Sequence, residues 1–154
     1  MIAKPTIPQL LQSMKAELND KIAPALTDPT HTVAIQMMTA VLDALSIRAE
    51  NEIAWMKHES AAALAAATEW VDRHPTSAAV AEALTAFRAG AVDSLKLSDV
   101  QAEYDRAGEL LSSLADAAYA TGDTDGVRSV ERLVQQRLET ELAIVGSFVA
   151  VGRE

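Results

Sequence analysis

A chain of 154 residues, 49% hydrophobic and 23% charged, suits one folded domain and is too apolar for intrinsic disorder. It contains no cysteine, which excludes disulfides, thiol catalysis and thiolate metal sites. The net charge of −9 divides into −3 for residues 1–92, −6 for 93–125 and 0 for 126–154, and an acidic middle argues against binding a nucleic-acid phosphate backbone.

Aromatic residues make up only 4% of the chain, so the core must rest mainly on Ala, Leu, Val, Ile and Met. The opening Met-Ile-Ala-Lys-Pro-Thr-Ile-Pro lacks the apolar run of a signal peptide. Near the other end, the uncharged run from Leu142 to Gly152 is too short to span a bilayer. These features lead to the expectation of an acidic, soluble, cytoplasmic protein that engages neither membrane nor nucleic acid.

In chain order, Thr6 and Gln9 have the spacing of a capping box, with Pro8 in a first turn where its missing N–H costs nothing. Ile7, Leu11, Met14, Leu18 and Ile22 then share one helical face, and Glu17 with Lys21 forms a favourable i,i+4 pair. Pro24 disfavours helical geometry at Ala23, which predicts a first helix over about 7–23. Asp28 as N-cap and Pro29 at the first helical position start the second. So short a connection predicts antiparallel neighbours.

From Asp28 to His74 there is neither glycine nor proline after Pro29. Ala34, Met38, Val41, Leu45, Ala49, Met56, Ser60, Ala63, Ala67 and Trp70 fall on one stripe, with Glu52 its one charged member, in steps that average about eleven residues per three turns. A straight helix over 29–74 would be about 69 Å long, against a span of roughly 40 Å for a compact domain of this size. Either the helix breaks, or its first half projects with the first helix as a hairpin. The break candidates Glu50-Asn51-Glu52 and Lys57-His58-Glu59-Ser60 lack Gly and Pro, the usual causes of kinks. The expectation is therefore a continuous or gently bent helix. Its segment Ala61-Ala62-Ala63-Leu64-Ala65-Ala66-Ala67 has little bulk and lets another helix approach closely.

A third helix over 77–89 carries Val80, Leu84 and Phe87 on one face and ends at Gly90. Ser98 and Gln101 read as a second capping box for a helix over 99–120, with Val100, Tyr104, Ala107, Leu111, Leu114 and Ala118 inward and Gly122 as its C-cap. Thr124 caps a fifth helix over 125–150 whose Val127, Val130, Val134, Leu138, Leu142, Val145 and Val149 face inward. From Leu142 onward that helix is apolar on every side, which predicts an end that is buried all round or lies in an interface. The expected fold is all-α: an antiparallel bundle of about five helices in a single domain over 1–154, built around one very long second helix.

Enzyme signatures are missing. There is no glycine-rich phosphate loop, no dinucleotide fingerprint, no Gly-x-Ser-x-Gly elbow and no His-Glu-x-x-His motif. His31, His58 and His74 are too far apart to share a turn, and none follows a glutamate by three residues as a di-iron bundle requires. His58 beside Glu59 is a candidate general base or ligand; the plainer reading is a histidine on a solvated face. Asp99, Glu103, Asp105, Glu109 and Asp116 can attract a hard cation, or simply keep a helix soluble. Met37, Met38 and Met56 suit an adaptable apolar site or ordinary packing. The most suggestive polar group is Arg48, Glu50, Asn51 and Glu52, extended by Lys57, His58 and Glu59, which either lines a cleft or fixes register across an interface. No cofactor, metal ligand set or catalytic residue is assigned.

The opening Pro5-Thr6-Ile7-Pro8-Gln9-Leu10-Leu11, then Ile22-Ala23-Pro24-Ala25-Leu26 and a long helix with Met37, Val41, Leu45 and Arg48, resembles a group of small all-helical bacterial proteins. Their function is unassigned, and they are often encoded beside phosphotransferase-like kinases and acyl-CoA dehydrogenases. The resemblance covers residues 5–48. It implies an accessory role near such enzymes, hence a possible enzyme partner, and brings no catalytic residues.

The functional expectation is a non-enzymatic helical interaction or accessory protein, acting as a homo-oligomer or subunit. The two-helix hairpin cannot cover its own apolar stripes, so a homodimer is expected to bury Ile7, Leu11, Met14, Met38, Val41 and Leu45 across a two-fold axis, with Phe148 a further interface candidate. The alternative is a bundle that binds an apolar or acyl small molecule in a cavity lined by Leu, Met and Trp.

Overall fold

A computed structural model describes residues 4–91 and 93–145. Among them there is no strand, and five α-helices follow in order: α1 Ile7–Glu17, α2 Pro29–Arg73, α3 Ala78–Ala89, α4 Leu97–Thr121 and α5 Thr124–Val145. The expected all-α architecture with one very long second helix is what the chain forms. α2 runs unbroken through both break candidates for 45 residues. Contacts divide the chain into two compact units, Met1–Glu52 with Glu141–Glu154, and Ile53–Thr140.

The first unit contains an antiparallel hairpin. The N–H of Thr6 donates to Gln9 Oε1 at 2.9 Å, the reciprocal half of the capping box that opens α1. The helix does not stop at Ala23. It widens into a π segment, Leu18–Ile22, and closes in a single 3-10 turn, Ala23–Ala25. Ala23 stays helical at φ −55°, ψ −43°, and its N–H reaches five residues back to Leu18. The wider turn draws the backbone away from the carbonyl that a proline ring would strike in a regular helix, so Pro24 is accommodated. Asp28 then caps α2 as expected, its Oδ1 accepting the Thr30 N–H at 2.8 Å. Lys15 meets Asp43 at 2.7 Å and Thr39 donates to Asn19 at 3.3 Å, which fixes the antiparallel register.

Burial in this unit departs from the predicted stripe. The buried residues among those described are Ile35, Leu42 and Ser46, whereas Met38 and Val41 are 51% and 52% exposed. α1 covers the line through residues 35, 39, 42 and 46. The line through 34, 38, 41 and 45 starts one residue earlier, about 100° round the helix, and stays uncovered.

In the second unit the same stripe is buried at Met56, Ser60, Ala63, Ala67 and Trp70. Around it lie Val80, Leu84 and Phe87 of α3, Ala107, Leu110, Leu111, Leu114 and Ala118 of α4, and Val130 of α5. The alanines of α2 admit close packing, as their size predicts. Gly126 does the same from α5: a Cβ there would lie 2.4 Å from Cζ3 of Trp70.

Three expectations about α4 and α5 need correction. α4 begins at Leu97, so Ser98 lies inside the helix and donates to Asp99 at 3.3 Å. Ser94 fastens this entry instead, accepting the Lys96 N–H at 3.1 Å and donating to Asp99 at 2.8 Å. Thr124 is the first residue of α5, and Asp123 is its cap, Oδ1 accepting the Asp125 N–H at 3.1 Å. Lastly, Val134 and Leu138 are exposed. Gly126, Val130, Leu133 and Arg137 face inward in their place, because Arg137 is drawn towards a carboxylate of α2. Gly122 ends α4 at φ +66°, the left-handed C-cap its sequence predicts.

Leu142 is 58% exposed, which overturns all-round burial at the start of the apolar run. Val149 and the rest of that run beyond Val145 lie outside the described residues.

Candidate functional site

One face of the hairpin in the first unit is left uncovered and is apolar. Ile7, Leu10 and Met14 of α1 and Val33, Met37, Met38, Val41 and Leu45 of α2 are all more than two-fifths exposed. Between the two helices, Met14, Leu18, Met37, Met38, Val41 and Leu42 line a groove of about 520 Å³ with Glu17 at its rim. Glu17 is held by Lys21 at 2.6 Å. Of the interface candidates, Ile7, Met14, Met38, Val41 and Leu45 lie open, Leu11 is half-buried, and Phe148 lies outside the described residues. Leu10 and Val33 were missed, while Met37 had been singled out only with the methionines. Following two adjacent helical lines rather than one would have found them.

Three ion pairs lie along the hairpin. Lys21 pairs with Glu17 near the turn, Lys15 with Asp43 midway, and Arg48 with Glu52 towards the other end. Both ends therefore carry both signs. α2 is also the one helix among the described residues long and apolar enough to cross a membrane by length and composition. Its best 18-residue window has a mean hydropathy of 1.2, and 6% of that window is buried.

Arg48 bonds Glu52 within α2, Asn51 donates to the Ile47 carbonyl at 2.9 Å, and Glu50 is exposed. His58 is exposed as well, whereas Glu59 turns inward among partners from other helices. Tyr104 of α4 donates its hydroxyl to Glu59 Oε2 at 2.7 Å, and Arg137 of α5 donates Nε to the same oxygen at 3.2 Å and to the Tyr104 hydroxyl at 2.7 Å. The guanidinium also lies 4.5 Å from the tyrosine ring centroid. Burial, then the bond to Glu59, push the Tyr104 phenol above its ordinary pKa. A carboxylate, phenol and guanidinium bonded to one another join three helices. Lys57 makes a second link of this kind, to the buried Glu103 at 2.9 Å.

A further cluster closes the other end of this unit. Asp123 accepts from His74 Nε2 at 3.0 Å and Arg73 at 2.8 Å, while the His74 ring stacks on Trp70 with centroids 4.0 Å apart. The His74 bond, helped by the Gly126 N–H and by Arg73, holds the Asp123 carboxyl down at about 2. His31 is exposed and His74 half-buried, so the three histidines do not assemble. The acidic set of α4 is likewise dispersed: Asp99 on Ser94, Glu103 on Lys57, Asp105 on Gln101, with Glu109 and Asp116 exposed. No group of three or more His, Asp or Glu residues is placed to hold a metal ion among the described residues.

Next to the Glu59 network, a gap lined by Ala63, Ala107, Leu111 and Leu133 holds only about 10 Å³, too little for an organic ligand. No protein-family model, no curated protein and no solved structure matches this chain.

Proposed function

We propose that this is a non-enzymatic interaction protein whose N-terminal hairpin packs against a second copy of itself, making a four-helix seam about a two-fold axis. The observation that carries the reading is the open row Ile7, Met14, Met38, Val41 and Leu45, contributed by two helices that are otherwise covered on one side only. Apolar patches of this extent are uncommon on soluble monomers. Charge selects the second copy as occupant. With both signs at each end of the hairpin, a two-fold related copy meets no block of like charge, and the row itself offers no unpaired charge to a partner of opposite sign. An accessory role beside an enzyme, as the resemblance of residues 5–48 implies, is compatible with such a seam. The absence of cysteine favours a cytoplasmic setting.

A second reading, an apolar or acyl ligand, draws on the groove volume of about 520 Å³, which falls in the range of small-molecule sites. Light scattering separates the two. The seam predicts a dimer for the wild type at micromolar concentration and a monomer for Val41→Glu, which puts a carboxylate in the apolar row. A monomeric wild type that takes up a fatty acid, or floats with neutral lipid vesicles, overturns the homodimer.

A further inference from the structure

We propose that three methionines make the seam responsive to peroxide, an inference that rests on reading the hairpin face as a contact between copies. Met14, Met37 and Met38 are three of five methionines in the chain, all three line the one groove, and each is more than half exposed. Met56, on the same helix as two of them, is 7% exposed. With no cysteine in the chain, these thioethers are the exposed sulfur among the described residues. Thioether oxidation follows exposure, so in the separated copy the groove reacts before Met56.

The step transfers one oxygen atom. The lone pair of the methionine sulfur attacks a peroxide oxygen, the O–O bond breaks and an S–O bond forms. Sulfur gives up two electrons, the peroxide gains them, and its second oxygen leaves as water. The product carries a strong acceptor where an apolar group stood. Within the groove the polar side chain is Glu17, an acceptor itself when ionised and already held by Lys21. A sulfoxide in the closed seam therefore lies among apolar neighbours without a donor. Two-fold symmetry counts each such oxygen twice. The separated copy keeps its sulfoxides in water, so oxidation draws the equilibrium towards monomer by mass action.

The test treats the wild-type protein with hydrogen peroxide, maps oxidised sites by peptide mass spectrometry, and follows association by analytical ultracentrifugation. Oxidation is expected at Met14, Met37 and Met38 before Met56. The dimer dissociation constant should rise on the order of a hundredfold, the scale set by two or more unpaired polar groups. The triple variant Met14→Leu, Met37→Leu, Met38→Leu should stay dimeric under the same treatment. A groove oxidised at all three sites that still dimerises overturns the inference and leaves the seam standing, as does dissociation of the triple variant. A monomeric wild type before any peroxide overturns the seam, and the inference with it.

Discussion

The two halves of α2 carry one continuous small-and-apolar stripe and meet opposite fates. In the second unit Met56, Ser60, Ala63, Ala67 and Trp70 are buried against α3, α4 and α5. In the first, Met38, Val41 and Leu45 face outward while Ile35 and Leu42, one line over, are the covered ones. Side-chain size accounts for part of the contrast. Alanines at 63 and 67 and a glycine at 126 let backbones close in, and Trp70 fills the space between them. The hairpin half offers methionine, valine and leucine, which need a deeper partner surface than one helix supplies. Periodicity thus locates a face, and the number of elements that reach it decides its burial.

The strongest way to break the contrast is to empty the packed side. Trp70→Ala should destabilise the protein by about 3–5 kcal/mol, read as a lower urea midpoint. Met38→Ala on the open side should leave the midpoint of a dilute monomer within about 0.5 kcal/mol. Equal losses at the two positions would erase the distinction.

Next in size is the Glu59–Tyr104–Arg137 network. Arg137→Ala leaves the Glu59 carboxylate, 10% exposed, without its cation. Arg137 itself is 29% exposed, so solvent screens part of the pair, and a loss of about 1–2 kcal/mol is expected. Replacing both partners together, Glu59→Leu with Arg137→Leu, should recover most of it, since neither charge is then stranded.

The Asp123 cluster supplies a pH test. Its carboxyl is held at about 2, below the ordinary 3.8, so it contributes stability that is present above pH 3.8 and is lost as pH falls through about 2. Asp123→Asn should therefore be less stable than wild type at neutral pH, with the gap closing across that window. A gap that persists at pH 2 would mean that the cap and the His74 bond are not the source.

The smallest effect concerns the entry to α4. Ser94→Ala should cost about 1 kcal/mol, because it removes the acceptor for the Lys96 N–H. Ser98→Ala should change stability by no more than about 0.5 kcal/mol.

These residues also show what the sequence made legible. Helix existence followed from period, caps and the spacing of Gly and Pro, and the Thr6–Gln9 box, the Asp28 cap and Gly122 are where their local chemistry places them. Caps failed where a stronger competitor stood nearby. Ser94 reaches both Lys96 and Asp99, and Asp123 is steadied by Arg73 and His74, some fifty residues away in the chain. The register of α5 failed for a related reason. Arg137 turns inward because Glu59 and Tyr104 await it, and no local pattern announces a partner 78 residues off. The candidate seam was legible as a stripe, but its width was not: Leu10, Val33 and Met37 belong to it through the placement of α1.

The claim that a second copy covers the hairpin is tested most directly by distance. A single cysteine introduced at the exposed Ala40 of this otherwise cysteine-free chain takes one nitroxide label per protomer. Pulsed dipolar spectroscopy at micromolar concentration should then show a short, narrow intermolecular distance that disappears with Val41→Glu. A signal without intermolecular dipolar modulation in the wild-type background would contradict the account.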